Sequence, residues 1–222
     1  MVVTTLIFAL SKIINWQTDT DTINTIIQQV QSTTTDDGQI DFDALKRINS
    51  DTIGWLRLEG TKINYPIVQT NNNQFYLSHS FDKSINSAGW PFMDYRNIGL
   101  NEQNTVIYAH GRLDGTMFGS LRTTLTNEWQ AEYGNHNLLF ITPTDRTYWR
   151  LFSVYKIPTT DDYLQTVFTD TEFESFIEMI ANRSLYDFQT PIASSNQILT
   201  LSTCYNDNEK IVLHFKKINQ KP

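Results

Sequence analysis

Two residues that could do chemistry each stand at the end of an apolar run. Cys204, the only cysteine of the chain, closes the run that begins at Ile198, and His110 closes the run that begins at Val106. A free thiol ionises only near pH 8.5, so it needs a nearby base or cation to act as a nucleophile. If both runs are strands, a thiol and an imidazole reach the rim of a sheet, which is the minimum set for thiol acyl transfer. The alternative is that Cys204 is a small core side chain, as single cysteines often are.

The composition is typical of a globular, strand-rich protein. Of its 222 residues, 40% are hydrophobic and 18% charged, and its 13 Phe, 10 Tyr and 5 Trp favour strands. The net charge of −7 leaves no basic stripe for phosphates and argues against a nucleic-acid partner. A single cysteine excludes an internal disulfide. His, Cys and carboxylates show no metal-ligand spacing, so we expect neither a metal nor another cofactor.

Residues 1–15 are open to two interpretations. The first ten are largely apolar, but a transmembrane helix needs about twenty residues. The basic start and the small-residue cleavage site of a signal peptide are also unclear. These residues are therefore either a helix packed on the domain or the remnant of an N-terminal membrane anchor.

Residues 16–50 are predicted to form an N-terminal helical region. Apolar residues follow the i, i+3, i+4, i+7 spacing of an amphipathic helix at Ile23, Ile26, Ile27 and Val30. Asp41 can cap a second short helix that ends near Asn49. We expect both helices to cover one end of the core.

From residue 53 onward, short apolar runs broken by Gly, Asn and Pro predict strands. Eight are expected, at residues 54–58, 63–68, 89–93, 105–109, 137–142, 147–158, 197–204 and 210–217. Eight strands without regular helical alternation favour a barrel or a sandwich.

One helix interrupts this pattern in the long connection 159–196. Thr169 and Glu172 form a capping box ahead of an apolar stripe. A connection of this length is usually a functional lid or wall. Because it ends just before the run that leads to Cys204, we expect it to border the site.

These residues resemble the sortases of Gram-positive cell surfaces, over about residues 40–218. The run at 200–204, Thr-Leu-Ser-Thr-Cys, is similar to the sortase cysteine signature, and residues 104–111 with 114–118 are similar to the histidine strand and its loop. Segments that resemble class B sortases in particular are residues 49–56, 63–69, 75–79 and 88–97. The helix before the cysteine strand is also typical of class B.

The resemblance implies a mainly β fold: a closed sortase-type barrel of about eight strands at residues 51–222, with N-terminal helices and a helix before the cysteine strand. It implies a cysteine transpeptidase at the extracellular face of the cell membrane, held there by a single-pass N-terminal anchor. Its partners would be a surface protein or pilin that bears a sorting signal, and the amine of a peptidoglycan cross-bridge or a pilin lysine.

The resemblance also implies roles for individual residues. Cys204 would be the nucleophile and His110 the general acid/base. The family's third functional residue is an arginine on the next strand, and the matching position holds Lys210. A guanidinium offers a planar fork of donors, whereas an ammonium is one compact charge. We expect Lys210 to occupy the arginine's site with reduced or altered efficiency, although Arg112 could be recruited instead.

Other polar side chains complete the prediction. Ser202, Thr203 and Asn104 are candidate substrate contacts, although the first two are equally explained as strand residues with satisfied hydroxyls. Among the remaining histidines, we interpret His79 as structural and His214 as a core residue. A third, His136, is predicted to lie in an exposed turn.

Two alternatives to the transpeptidase stay open. A plain cysteine protease would use the same Cys204 and His110 but hydrolyse its thioester. A degenerate sortase-fold module would bind sorting peptides without efficient turnover, and Lys210 keeps that possibility open. Within the sortase interpretation, wall anchoring and pilin polymerisation are both possible roles.

Overall fold

Most of the regular structure beyond residue 51 is β-strand. Aromatic and β-branched side chains are frequent in these segments, and turns separate them. The computed structural model describes residues 2–35 and 39–220. Its helices are α1 (Val2–Gln31), α2 (Phe42–Ile48), α3 (Asn127–Ala131) and α4 (Asp170–Asn182). Its strands are β1 (Thr52–Leu58), β2 (Asn64–Val68), β3 (Phe92–Met93), β4 (Asn104–Tyr108), β5 (Asn137–Ile141), β6 (Arg146–Pro158), β7 (Ile198–Cys204) and β8 (Glu209–Ile218).

The strands form a closed barrel in the order β1-β2-β3-β4-β7-β8-β6-β5. Neighbouring strands are antiparallel except for two parallel pairs, β2 with β3 and β4 with β7. This confirms the predicted closed barrel. The third strand is shorter than expected and starts only at Phe92, because Gly89 turns the chain with a φ of +60°.

Successive side chains along each strand point alternately into and out of the barrel. Large apolar side chains fill its interior. Those buried deepest in it include Trp55, Trp90, Phe140, Trp149 and Phe215. A second cluster lies outside the barrel, where Phe173 and Ile180 of α4 pack with Tyr155 and Val212. Thr169 caps α4 with both hydrogen bonds of the predicted capping box.

The predicted amphipathic helix is the end of a much longer one. In α1, Ile23 and Val30 are fully buried, whereas Leu6, Leu10 and Ile13 are about half exposed or more. The described side chains before residue 15 therefore do not pack on the barrel. None of the helices in residues 2–35 and 39–220 is both long and apolar enough to cross a membrane. The short helix capped by Asp41 forms as predicted.

Candidate active site

The parallel pairing of β4 and β7 brings Cys204 and His110 to one edge of the barrel. Tyr108 lies opposite Ser202 in that pair. Beyond it, the hydroxyl of Thr203 donates to the carbonyl of Ala109 at 2.8 Å. Because parallel strands end on the same side, the next residues of both segments, the imidazole and the thiol, lie together at the rim.

A glycine allows the two segments to approach each other. A Cβ atom on Gly111 would lie 1.9 Å from the carbonyl oxygen of Cys204. Since no side chain fits there, the loop after His110 can pass this close to the cysteine only with glycine at this position.

Lys210 is the polar partner of the thiol. It lies directly opposite Cys204 in the antiparallel pair β7–β8, and such pairs place their side chains on the same face. The Nζ of Lys210 donates to Sγ of Cys204 at 2.9 Å. This contact puts a cation where it stabilises a thiolate.

Arg112 takes no part in this arrangement. Its guanidinium forms an ion pair with Asp114 at 2.8 Å and donates to the hydroxyl of Thr20 on α1. Its side chain is nearly buried in these contacts, so it is not available for recruitment. The cation beside the sulfur is Lys210.

The imidazole of His110 has a defined tautomer when it is neutral. Its Nε2 lies 2.7 Å from the carbonyl oxygen of Leu77. A carbonyl only accepts hydrogen bonds, so Nε2 carries the proton. Among the described residues no hydrogen-bond partner contacts Nδ1, which is therefore the nitrogen that can accept or deliver a proton in a reaction.

An open cavity of about 420 Å³ contains the three groups. Cys204, His110 and Lys210 lie in its wall together with Ser202 and Thr203. The remaining wall is mostly apolar and comes from Asn73, Leu77, Phe92, Tyr108, Ala109 and Leu164. An open, mostly apolar cavity with a few polar groups suits the side chains of a bound peptide.

The hydroxyls of Ser202 and Thr203 are already engaged. Ser202 is hydrogen-bonded to the Tyr163 hydroxyl at 3.0 Å, and the Thr203 hydroxyl donates to the carbonyl of Ala109. Burial raises the pKa of Tyr163, so its hydroxyl stays protonated. These contacts join the connection before α4 to β7, and they support the strand-residue interpretation of both hydroxyls.

Asn104 does not lie in the cavity, which corrects the substrate contact predicted for it. Its side chain is fully buried and donates to the carbonyls of Tyr163 and Gln165. It also accepts from the hydroxyl of Thr200 at 2.6 Å. Because it pairs with Ile198, at the opposite end of β7 from the cysteine, its role is to fasten the connection to the barrel.

A buried carboxylate beside the cavity was not predicted from the sequence. Asp94 accepts two hydrogen bonds from Arg96 and one from the hydroxyl of Tyr108. Burial raises the pKa of Asp94, but these hydrogen bonds outweigh it, so the pKa lies below its ordinary value. Arg96 also donates to the carbonyl of Leu164 at 2.8 Å. The cluster fixes two cavity-lining residues, Tyr108 and Leu164, relative to each other.

Arg122 joins the segments that follow His110 and Cys204. Its Nη2 donates to the carbonyl of Tyr205 and contacts that of Gly111 at 3.5 Å. Its guanidinium also lies 4.5 Å from the ring centroid of Tyr205. No local pattern predicts this contact, since 83 residues separate Arg122 from Tyr205.

Two other histidines, His214 and His136, are structural. His214 is fully buried and bonds to Tyr155 and Thr200, which confirms the core interpretation. The exposed turn predicted for His136 is wrong, because the side chain is buried and packs edge-on against Phe188. In the described part of the chain no group of three or more His, Cys, Asp or Glu residues is arranged to hold a metal.

Known proteins share both the sequence and this architecture. Residues 56–217 match the family model of the sortase domain. Sortase B of Staphylococcus aureus is 33% identical over 183 residues, which cover 80% of this chain and 74% of that protein. Sortase B of Listeria monocytogenes is 31% identical over 198 residues, 87% and 79% of the two chains.

Solved structures agree with these relatives. The structure of sortase B from Bacillus anthracis in complex with AAEK1 superposes with a TM-score of 0.81 at 33% identity, and the match covers 91% of this chain and 99% of that one. A complex of Staphylococcus aureus sortase B with substrate gives a TM-score of 0.75 at 28% identity, over 96% and 99% of the chains.

Proposed function

This chain belongs to the sortase family, to its class B, and we propose that Cys204, His110 and Lys210 carry the family's reaction in it. Sortases are cysteine transpeptidases of the cell surface that process sorting signals and anchor surface proteins to the cell wall. The observation that supports the proposed site best is the 2.9 Å contact between Nζ of Lys210 and Sγ of Cys204.

In the first half-reaction the sorting peptide occupies the cavity beside β7. The Cys204 thiolate, paired with the Lys210 ammonium, attacks a backbone carbonyl carbon and forms a tetrahedral intermediate. The ammonium is close enough to Sγ to stabilise the developing oxyanion as well. His110 in its protonated form donates from Nδ1 to the departing amine, and a thioester on Cys204 results.

In the second half-reaction an amine replaces the departed part of the peptide. Neutral His110 takes a proton from the incoming amine, which attacks the thioester carbon and releases the Cys204 thiolate, so both groups return to their starting states. The thioester keeps the acyl group reactive between the two steps, which is why a covalent nucleophile suits transfer from one amine to another.

The amine acceptor and the mode of membrane attachment are finer parts of the proposal. A peptidoglycan cross-bridge amine is the acceptor we favour, with a pilin lysine as the alternative.

We further propose a single-pass N-terminal anchor, since Leu6, Leu10, Ile13 and Ile14 expose apolar surface on α1. The test replaces these four residues by serine in the full-length protein. Loss of the protein from the membrane fraction would support the anchor, and unchanged retention would contradict it.

A transfer assay tests the function itself. The protein is incubated with pooled sorting-signal peptides and triglycine as the amine probe, and the products are identified by mass spectrometry. We expect a peptide joined to triglycine, and none from Cys204→Ala. Hydrolysed peptide alone would favour the plain protease. Peptide binding without cleavage would favour the binding module, which the family match does not favour.

A further inference from the structure

We propose that Lys210 is itself an acyl acceptor: its amine takes the acyl group from the Cys204 thioester when no external amine arrives. This inference depends on the proposed thioester at Cys204. The product is an isopeptide bond inside the active site, and the enzyme that carries it has lost the cation beside its thiol. Lys210 is thus a self-modification site that limits the lifetime of an acylated enzyme without an acceptor.

The distance between the two side chains allows the transfer without a conformational change. Nζ lies 2.9 Å from Sγ, and the acyl carbon of a thioester is one covalent bond from Sγ. Attack requires reacting atoms about 3–3.5 Å apart, and a fixed geometry of this kind replaces a high concentration of free amine. The four-carbon stem of lysine lets Nζ adjust to the direction of attack.

Charge favours the transfer once the thioester has formed. Before acylation the Lys210 ammonium faces a thiolate, and acylation makes that sulfur neutral. Among the described residues, no carboxylate lines the cavity and none forms an ion pair with Lys210. The neighbouring Glu209 is already bound by Lys156 at 3.0 Å and by Asn206.

The loss of the thiolate therefore leaves the ammonium without a counter-charge in a mostly apolar cavity. The neutral amine is the nucleophilic form, so the ammonium first gives one proton to water in the open cavity. An arginine at this position could not react in this way, because a guanidinium keeps its proton in proteins. The proposed acyl transfer therefore depends on this chain having lysine at position 210.

The step balances as an isomerisation. The lone pair on Nζ attacks the thioester carbon, the C–Sγ bond breaks, and the proton lost by nitrogen passes through His110 to the released thiolate. An acyl thioester and an amine become an amide and a thiol, with no oxidant, reductant or further reactant. The total mass is unchanged, so mass alone does not distinguish the two adducts.

Neutral hydroxylamine distinguishes them, because it cleaves thioesters and leaves amides intact. The acyl donor is N-acetylglycine thiobenzyl ester, which exchanges with a reactive thiol and needs no sorting motif; pooled sorting-signal peptides serve in parallel. Native protein, Lys210→Arg and Cys204→Ala are treated without an added amine, then with triglycine. Protease digestion and mass spectrometry locate any adduct that survives hydroxylamine.

We expect a resistant adduct on Lys210 of the native protein that grows with time and decreases when triglycine competes. The Lys210→Arg protein should carry only a labile adduct on Cys204, and Cys204→Ala should carry none. A native adduct that is entirely labile would overturn the inference and leave the proposed thioester chemistry intact. A resistant adduct on Lys210 of Cys204→Ala would also overturn it, since the donor would then acylate lysine directly.

The two proposals fail in different ways. If the thiobenzyl ester modifies Lys210 through Cys204 but no sorting peptide is ever cleaved, the sorting function is contradicted and the transfer to lysine is not. If neither donor forms any adduct with the folded protein, both proposals are wrong.

Discussion

Replacing Lys210 by methionine removes the positive charge beside the thiol and keeps a side chain of similar length. At 2.9 Å, two unit charges in an effective dielectric of about 20 attract each other by about 6 kcal/mol. The cavity is open to water and the free ammonium is well solvated, so most of this attraction is offset. Hydrogen bonds to charged groups contribute about 1.5–3 kcal/mol net.

This net energy sets the expected effect on reactivity. Since each 1.4 kcal/mol corresponds to a factor of ten, Lys210→Met should lower the rate of alkylation of Cys204 by iodoacetamide at pH 7 by about ten- to hundredfold. Lys210→Arg restores the charge and should react at nearly the native rate. The matched control is Lys216→Met on the same strand, whose Nζ binds the carbonyl of Pro191 away from the thiol.

The assay is a stopped alkylation followed by intact-mass measurement, with circular dichroism to confirm folding. If folded Lys210→Met is alkylated as fast as the native protein, the ammonium does not stabilise the thiolate and the reasoning is refuted. If Lys216→Met slows alkylation equally, the effect is one of overall charge and not of this contact.

Three further predictions concern residues around the site and the core. Arg122→Met should lower kcat for sorting-peptide cleavage by about tenfold with little change in KM, because Arg122 joins the segments after Cys204 and His110 and a 1 Å misplacement of such groups is costly. Arg122→Lys should recover part of the lost kcat. An unchanged kcat in Arg122→Met would exclude the positioning role. Tyr163→Phe removes the hydrogen bond to Ser202 and should lower the free energy of unfolding by about 1 kcal/mol, measured by urea denaturation; unaltered stability would show that the bond is not needed. Burial lowers the pKa of His214 from 6.5 to about 3, so the unfolded state binds more protons below pH 6.5 and stability falls there by up to about 1.4 kcal/mol per pH unit. His214→Gln should flatten this decline in urea titrations between pH 7 and 5, and an unchanged slope would refute the assignment.

Local patterns were enough to predict the elements that carry the site. Cys204 and His110 end apolar runs, and those runs form the parallel strands β7 and β4. The capping box at Thr169 and the stripe behind it predicted α4 because both depend on residues within one or two turns. Closure into a barrel was implied by the family resemblance, since strand alternation alone fits a sandwich equally well.

Contacts between distant segments were beyond such patterns. The position of Lys210 opposite Cys204 followed from the resemblance, but the 2.9 Å contact depends on the register of β7 and β8. Arg122 acts through Tyr205, which is 83 residues away, and Asp94 is itself buried, so no periodicity marks either residue. Asn104 was predicted as a substrate contact, yet its amide satisfies buried carbonyls, as a buried polar group must.

His136 illustrates a different kind of error. Asparagines on both sides predicted an exposed turn, and the residue does end a short 3-10 helix, Tyr133–His136. Tertiary packing turned its ring inward against Phe188, where Nε2 meets the carbonyl of Gln130 at 2.9 Å. The local structure was predicted, but the direction of the side chain depends on residues 52 positions away.

The most direct test of the account is the intact mass of the protein after incubation with pooled sorting-signal peptides, with Cys204→Ala as the blank. We predict an acyl adduct that is absent from the blank and is released at once by neutral hydroxylamine when sampled early. A folded native protein that remains unmodified, while the same peptides acylate Sortase B of Staphylococcus aureus in parallel, would contradict the central claim that Cys204 is the nucleophile of a working transpeptidase.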